Sequence, residues 1–436
     1  MRRLGRLLGS RKDSRDTLGS LAAGMGGQLA IVVSGIVAAR MLGPADRGHL
    51  AFLVLIPVIL AKLGGLGLPL AVAYECARSP AVARPLSGRI ARRFALQAAV
   101  LLVIHGLLLW ALLHDEDREV VVSGIVTLAL VPASLAHEYA IAFLQGLRRF
   151  GPFNVLRMLP VVLYTAAVLA FLVSGASDLV AFVVAWTAAW CAAAALAVRA
   201  VGTTLPREIA PPGEMPPMAA MTRFGAKGFL GSASPVETFR LDQALIGLFL
   251  PPVALGYYVA AIAFTNLPRF LAQSIGLVAS PGVAAAPNRR EGRHMMWRYL
   301  WLAVLVCTPV IVVLEATVGW LLPFLFGSAF EDAIPMARIL LLGALFLSLR
   351  RVLTDGARGL GRPTIGTIAE VASWVVLLPA VTVAAAAGDA TDMAMAVTAA
   401  AFVSLVVIVV GLTTRRSVAE DGASHWLGAG PTERVV

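Results

Sequence analysis

Charge is scarce in this chain of 436 residues, with only 14% of positions charged and 7% aromatic. Soluble domains carry about 25% charged residues, so an ordinary water-soluble fold is excluded. Cysteine is nearly absent: Cys76, Cys191 and Cys307 stand far apart and without metal-ligand spacing, which removes a disulfide framework, a zinc cluster and a C-x-x-C redox centre. They read as small packing residues. There is no phosphate-binding loop for ATP hydrolysis. No loop is long enough to fold as an enzymatic domain. These absences disfavour a primary pump and a glycosyl enzyme, and leave no catalytic residue, no metal site and no cofactor beyond a coupling Na⁺ or H⁺.

What the chain does contain is apolar length. Hydrophobic residues make up 59% of the sequence and mean hydropathy is +0.83, in runs of about 20 residues that match the thickness of a bilayer. The reading is an all-α polytopic membrane protein with twelve transmembrane helices in two six-helix lobes related by a pseudo-twofold axis. Its parts are a cytoplasmic amino-terminal segment (1–17), an N-lobe (18–198), a Pro-rich cytoplasmic linker (199–226), a C-lobe (227–412) and a cytoplasmic tail (413–436). The first apolar run exceeds a signal-peptide core and is read as a retained span. The net charge of +11 falls in short clusters between spans, so it marks topology and not nucleic acid. Of 36 Lys and Arg, 29 lie on the amino-terminal side, four on the other (Arg40, Arg47, Arg118, Arg338) and three within spans. That imbalance places both termini in the cytoplasm.

An internal echo supports the two lobes. Leu42, Pro44 and Gly48 recur as Leu250, Pro252 and Gly256 at an offset of 208, and Gly146, Arg148 and Gly151 recur as Gly356, Arg358 and Gly361 at 210.

A charge near mid-bilayer costs roughly 2.5 to 3.5 kcal/mol on insertion scales, so those present mark a pathway or a structural pair. Lys62 and Arg269 fall at similar depth in the second and eighth spans, 207 residues apart, and a pseudo-twofold axis would face them across a central seam. The alternative is that each snorkels or pairs with an acid. Asn266, Arg269, Gln273 and Ser280 form one helical stripe beside Pro268, and Gln28 extends the lining from the first span or serves as interhelical glue. Gly64, Gly65, Gly67 and Pro69 mark a bend in the second span, a hinge candidate. Glu237 and Arg240 share a face and can neutralise each other, whereas Asp242 points elsewhere and can join Glu370 in a carboxylate site. Asp242, Glu370, Glu237 and Glu138, with His137 beside it, are the candidates for Na⁺ or H⁺ coupling.

The turns Arg40-Met-Leu-Gly-Pro-Ala-Asp-Arg-Gly48 and Gln145-Gly-Leu-Arg-Arg-Phe-Gly-Pro-Phe-Asn154, with Arg240-Leu-Asp242 and Leu255-Gly-Tyr-Tyr-Val-Ala260, resemble the polysaccharide biosynthesis flippases. These belong to the multidrug/oligosaccharidyl-lipid/polysaccharide exporter superfamily and are related to lipid II flippases. The resemblance implies a cavity between lobes, alternating access, and transfer of a polyprenyl-pyrophosphate-linked glycan across the bacterial plasma membrane. It implies that cations on the second and eighth helices, here Lys62 and Arg269, serve the pyrophosphate. Acids on the seventh and eleventh helices form a sodium site in some members, to which Asp242 and Glu370 correspond approximately. The first span departs from the lipid II pattern, with Gln28 and no mid-span cation. Expected partners are the lipid-linked glycan, membrane lipids and a polymerase or glycosyltransferases. A cation-coupled multidrug exporter and a non-transporting scaffold of a synthase complex are the rival readings.

Overall fold

The computed structural model describes residues 11–208, 215–230, 234, 236 and 238–414, with backbone alone at 11–23, 230 and 385–387. Among these residues every regular element is helical, as a chain in lipid requires when each backbone N–H and C=O must find a partner internally. Nine described helices are long and apolar enough to cross a membrane, so the protein is multi-pass. Large apolar side chains such as Trp110, Trp301, Leu305 and Val383 stand exposed on helix surfaces, as lipid-facing residues do.

The expected spans map onto these helices with three differences. The first two are one continuous element, Arg11–Gly65, bent at Gly43 (φ 72°). Glycine accepts that positive φ, and Pro44 after it disfavours α geometry at the preceding residue, so the two arms meet at a kink and not a loop. The seventh span is divided: between a helix Met218–Leu230 and a short helix Leu241–Phe249, the described residues 234, 236 and 238–240 are non-helical. The eighth is likewise two pieces, Pro252–Ala263 and Asn266–Ala284. Pro268 falls in the first turn of the second piece, where a missing N–H costs nothing, so the interruption precedes this proline. Among the described residues the seventh and eighth spans are thus each built from two helical pieces.

The chain divides into two compact units. The first comprises the described residues of Met1–Asn266, Val312–Leu342 and Leu377–Thr398. Its interior has two apolar clusters, one around Leu68, Val72, Leu86, Leu135 and Leu144 and one around Leu50, Leu53, Leu109, Leu179 and Phe182. Here the helix Pro252–Ala263 lies along Arg11–Gly65, and the echoed turns meet. A methyl group built on Gly48 would overlap the carbonyl of Pro252, and one built on Gly256 would overlap the carbonyl of Pro44. Only glycine permits that backbone approach. Arg40 donates to the carbonyls of Leu325 (2.7 Å) and Phe324, occupying the carboxyl end of the helix Arg289–Phe326. Beside this seam Tyr257 donates to Asp332 (3.2 Å), while His49, one position after Gly48, lies 3.9 Å from Glu116.

The second unit comprises Leu267–Ile311, Gly343–Val376 and the described residues of Ala399–Val436. Val283, Met296, Leu353, Ile365 and Ile408 fill its interior. The second echo appears in backbone form at a different offset from the one the letters suggest. The N–H groups of Leu147, Arg148 and Arg149 bond to the carbonyls of Phe143, Gln145 and Leu144, and those of Leu360, Gly361 and Arg362 bond to Gly356, Arg358 and Ala357. The same helix-ending turn thus recurs 213 residues later, with Arg148 (φ 55°) and Gly361 (φ 73°) at the left-handed position.

Candidate functional site

The continuous second arm of Arg11–Gly65 presents Arg47, Leu50, Val54, Val58 and Lys62 to one cavity of about 540 Å³ in the first unit. These positions step by three or four, so they form one helical stripe. Ile31, Ser34 and Ala38 of the first arm line the same space, with Tyr164, Trp186, Trp190 and Arg240. Three cations, Arg47, Lys62 and Arg240, therefore share one cavity. Arg240 leads the helix Leu241–Phe249 in left-handed geometry (φ 48°). Aromatic surface accompanies the charge: Tyr164 and Trp186 meet edge to face at 4.7 Å, and Trp190 follows one helical turn on. The indole N–H groups of Trp186 and Trp190 are buried without a hydrogen-bond partner among the described residues. Buried donors of this kind await an acceptor.

Lys62 stands at the end of its helix. The helix stops at Gly65 and a new one begins at Leu68, across Leu66 (φ 47°) and Gly67 (φ 68°), with Pro69 in the first turn of the second piece. The break frees the carbonyl of Gly64, which accepts from Gln97 (2.8 Å), and Gln97 in turn accepts from Tyr139 (2.7 Å). Gly67 also lies against the backbone of Gly225, where a methyl group on either would overlap the other's carbonyl. Lys62 Nζ lies 3.7 Å from Glu138 Oε1, and both side chains are about one-third exposed (36% and 31%).

The remaining candidates are placed as follows. Gln28 is half-buried one turn before Ile31, and it is not part of the cavity lining. Asn266 ends the first unit; Arg269, Gln273 and Ser280 lie on Asn266–Ala284 in the second. Asp242 is fully buried and accepts from Tyr258 (2.6 Å). Glu370 accepts from Arg350 (2.6 Å), whose guanidinium also reaches Ser404 (3.3 Å). Asp242 and Glu370 each hold partners within their own unit. His137 reaches the carbonyl of Leu156 (3.0 Å), so the imidazole and the neighbouring Glu138 serve different partners. Glu237 lies outside the described residues.

Arg47 is the residue sequence reasoning missed. Counted as a loop charge, it is the fifteenth residue before Lys62 and falls on the same face of an unbroken helix. Following the helical period back from Lys62 would have found it. Among the described residues no group of three or more His, Cys, Asp or Glu is arranged to hold a metal ion.

The model of a family described as polysaccharide biosynthesis protein matches residues 14–286. No curated protein is similar to the chain in sequence. Among solved structures, the lipid II flippase MurJ in an inward closed conformation is similar with a TM-score of 0.70 at 10% identity, over 91% of this chain and 87% of that one. An inward-facing multidrug resistance MATE family transporter of the MOP superfamily gives 0.63 at 14%, over 94% and 99%. The eukaryotic MATE transporter AtDTX14 gives 0.61 at 15%, over 92% and 96%. At these identities the likeness is one of fold.

Proposed function

The chain belongs to the polysaccharide biosynthesis protein family, and from that premise we propose that it is a flippase. Its substrate is a polyprenyl-pyrophosphate-linked oligosaccharide, moved from the inner to the outer leaflet of a bacterial plasma membrane by alternating access. The observation that carries this reading is that Arg47, Lys62 and Arg240 all line one cavity together with Tyr164, Trp186 and Trp190. A pyrophosphate is a multivalent anion that accepts charge-assisted hydrogen bonds from guanidinium and ammonium groups. The unpartnered indole donors of Trp186 and Trp190 suit the acceptor-rich glycan, whose apolar faces pack on aromatic rings. A drug exporter for organic cations would need the opposite sign in its cavity.

In this reading both termini are cytoplasmic, from the 29 to 4 distribution of Lys and Arg, and the lobes are 18–198 and 227–412. Asn266 and, in the second unit, Arg269 and Gln273 are candidate substrate contacts on their own helix, and the segment Gly64, Gly65, Gly67 and Pro69 is the hinge of the second span. A polymerase or glycosyltransferases would work beside it. For ion coupling, Asp242 and Glu370 are the acids to test, each against a background in which its present partner is also changed.

The test is transport in proteoliposomes of a fluorescent polyprenyl-pyrophosphate oligosaccharide, read by the fraction reached by a membrane-impermeant quencher. Protein-dependent movement of this lipid, with none of a lipophilic organic cation, supports the flippase. Movement of the organic cation alone would establish the drug exporter instead.

A further inference from the structure

We propose that Glu138 is a positioning residue that sets the site's selectivity, holding Lys62 in the empty cavity so that only an anion stronger than a carboxylate can claim it. Lys62 Nζ and Glu138 Oε1 lie 3.7 Å apart, within ion-pair range. Lys62 lines the cavity, whereas Glu138 is absent from its lining and approaches from the helix Leu130–Gly146. The ammonium therefore has a carboxylate on one side and the cavity on the other. Glu138 Oε2 also lies 3.9 Å from where a methyl group on Gly65 would stand, so the carboxylate sits under the helix break that follows Lys62.

Two features make this pair an exchangeable one and not a fixed strut. Each side chain is about one-third exposed, so neither is locked by packing on every side. Lysine is also a single point charge on a flexible four-carbon stem, able to swing between acceptors without the fixed fork of arginine. By contrast Arg350 and Glu370 meet at 2.6 Å with only 6% of the arginine side chain exposed, which is the geometry of a permanent brace.

Competition follows from charge. A carrier lipid ending in a monophosphate presents a single phosphate group, while the pyrophosphate of a loaded lipid presents two linked ones, with more charge and more acceptor oxygens to offer Lys62. Glu138 raises the threshold for both ligands, and the monophosphate, with less charge to displace the carboxylate, is excluded in larger proportion. The spent carrier is thereby kept out of the cavity. The proposal rests on the flippase reading for the identity of the anion, and on the ion pair alone for the state of Lys62.

The experiment has two arms. The sequence contains three lysines, Lys12, Lys62 and Lys227, so acylation of each amine in the purified protein can be followed by mass spectrometry without any substrate. Glu138→Gln should raise the acylation rate of Lys62 about threefold, the size expected for a partly exposed ion pair, with Lys227 unchanged and Glu138→Asp close to wild type. An unchanged Lys62 rate would overturn the proposal. In the second arm, vesicles receive polyprenyl pyrophosphate or polyprenyl monophosphate. Glu138→Gln should lower KM for both, the monophosphate more, and should lower kcat for the pyrophosphate lipid because release is slowed; Lys62→Gln should remove the effect of the Glu138 change. A fall in kcat with both KM values fixed would overturn the proposal. If the acylation arm succeeds while neither lipid is bound by any variant, the pyrophosphate reading fails and the selectivity role of Glu138 falls with it, leaving only the pair.

Discussion

Gly48 and Gly256 stand 208 positions apart, and each lies against the carbonyl of the proline four residues ahead of the other. The echo in sequence is thus a contact in space: two copies of one turn pack reciprocally, as a local twofold relation between repeats requires. Glycine is needed in both copies for the same reason, since backbone meets backbone.

Adding a methyl group at this seam should therefore hurt equally from either side. Gly48→Ala and Gly256→Ala should each destabilise the protein by about 1–3 kcal/mol, the usual cost of forcing atoms into a packed contact. The apparent melting midpoint in detergent would measure this. Because both act on one seam, the double variant should cost less than the two singles together. Full additivity would mean that the turns do not share a contact.

The buried brace gives a prediction of opposite character. Glu370→Gln removes the carboxylate that Arg350 meets at 2.6 Å and should cost about 3–5 kcal/mol, seen as poor yield or a lower midpoint. Arg350→Met together with Glu370→Leu should recover most of that loss. The double variant is also the background in which gradient dependence can be read cleanly. If its transport still follows the Na⁺ or proton gradient, Glu370 is not the coupling acid.

Much of this was legible in the sequence, and the misses have physical causes. Composition and run length gave a multi-pass helical protein, because lipid leaves few alternatives. The echo of Gly48 and Gly256 was visible because close backbone approach leaves glycine no substitute. Arg47 was missed because Gly43 and Pro44 read as a loop between two spans, whereas the chain kinks there and stays helical, carrying Arg47 onto the face of Lys62. The pairing of Lys62 with Glu138 in particular was illegible because the two are 76 residues apart in sequence and no period links them. Interruption of the seventh and eighth spans left only partial marks: Pro235, Glu237 and Arg240 in the one and Thr265 and Asn266 in the other are polar or helix-breaking positions inside runs otherwise apolar enough to read as spans, and hydropathy does not report backbone hydrogen bonding.

Orientation is open to a direct check. A reporter fused after Asp117 should read as external and one after Arg290 as internal, following the distribution of Lys and Arg. Reversal at both sites would turn the protein over in the membrane. Reversal at one would break the relation between the two lobes.

The hinge reading of the second span also has a measurable outcome. Gly67 carries a φ of 68° and touches Gly225 through backbone atoms, so Gly67→Ala combines backbone strain with overlap and should cut transport at least tenfold. Leu66→Gly, which relaxes the other left-handed residue (φ 47°), should leave transport intact or raise it. Normal transport by Gly67→Ala would remove this segment from the mechanism.

The central claim is that the cations of the cavity hold an anionic head group. Losing a hydrogen bond to a charged partner costs about 1.5–3 kcal/mol, or roughly ten- to a hundredfold in affinity. The decisive measurement is flipping of a polyprenyl-pyrophosphate oligosaccharide in vesicles by Arg47→Gln, Lys62→Gln and Arg240→Gln, each matched for folded protein, with Lys62→Arg as the charge-retaining control. Losses of at least tenfold in all three, with most activity kept by Lys62→Arg, are the predicted result. Near-normal flipping by the Arg47→Gln/Lys62→Gln/Arg240→Gln triple variant would contradict the account.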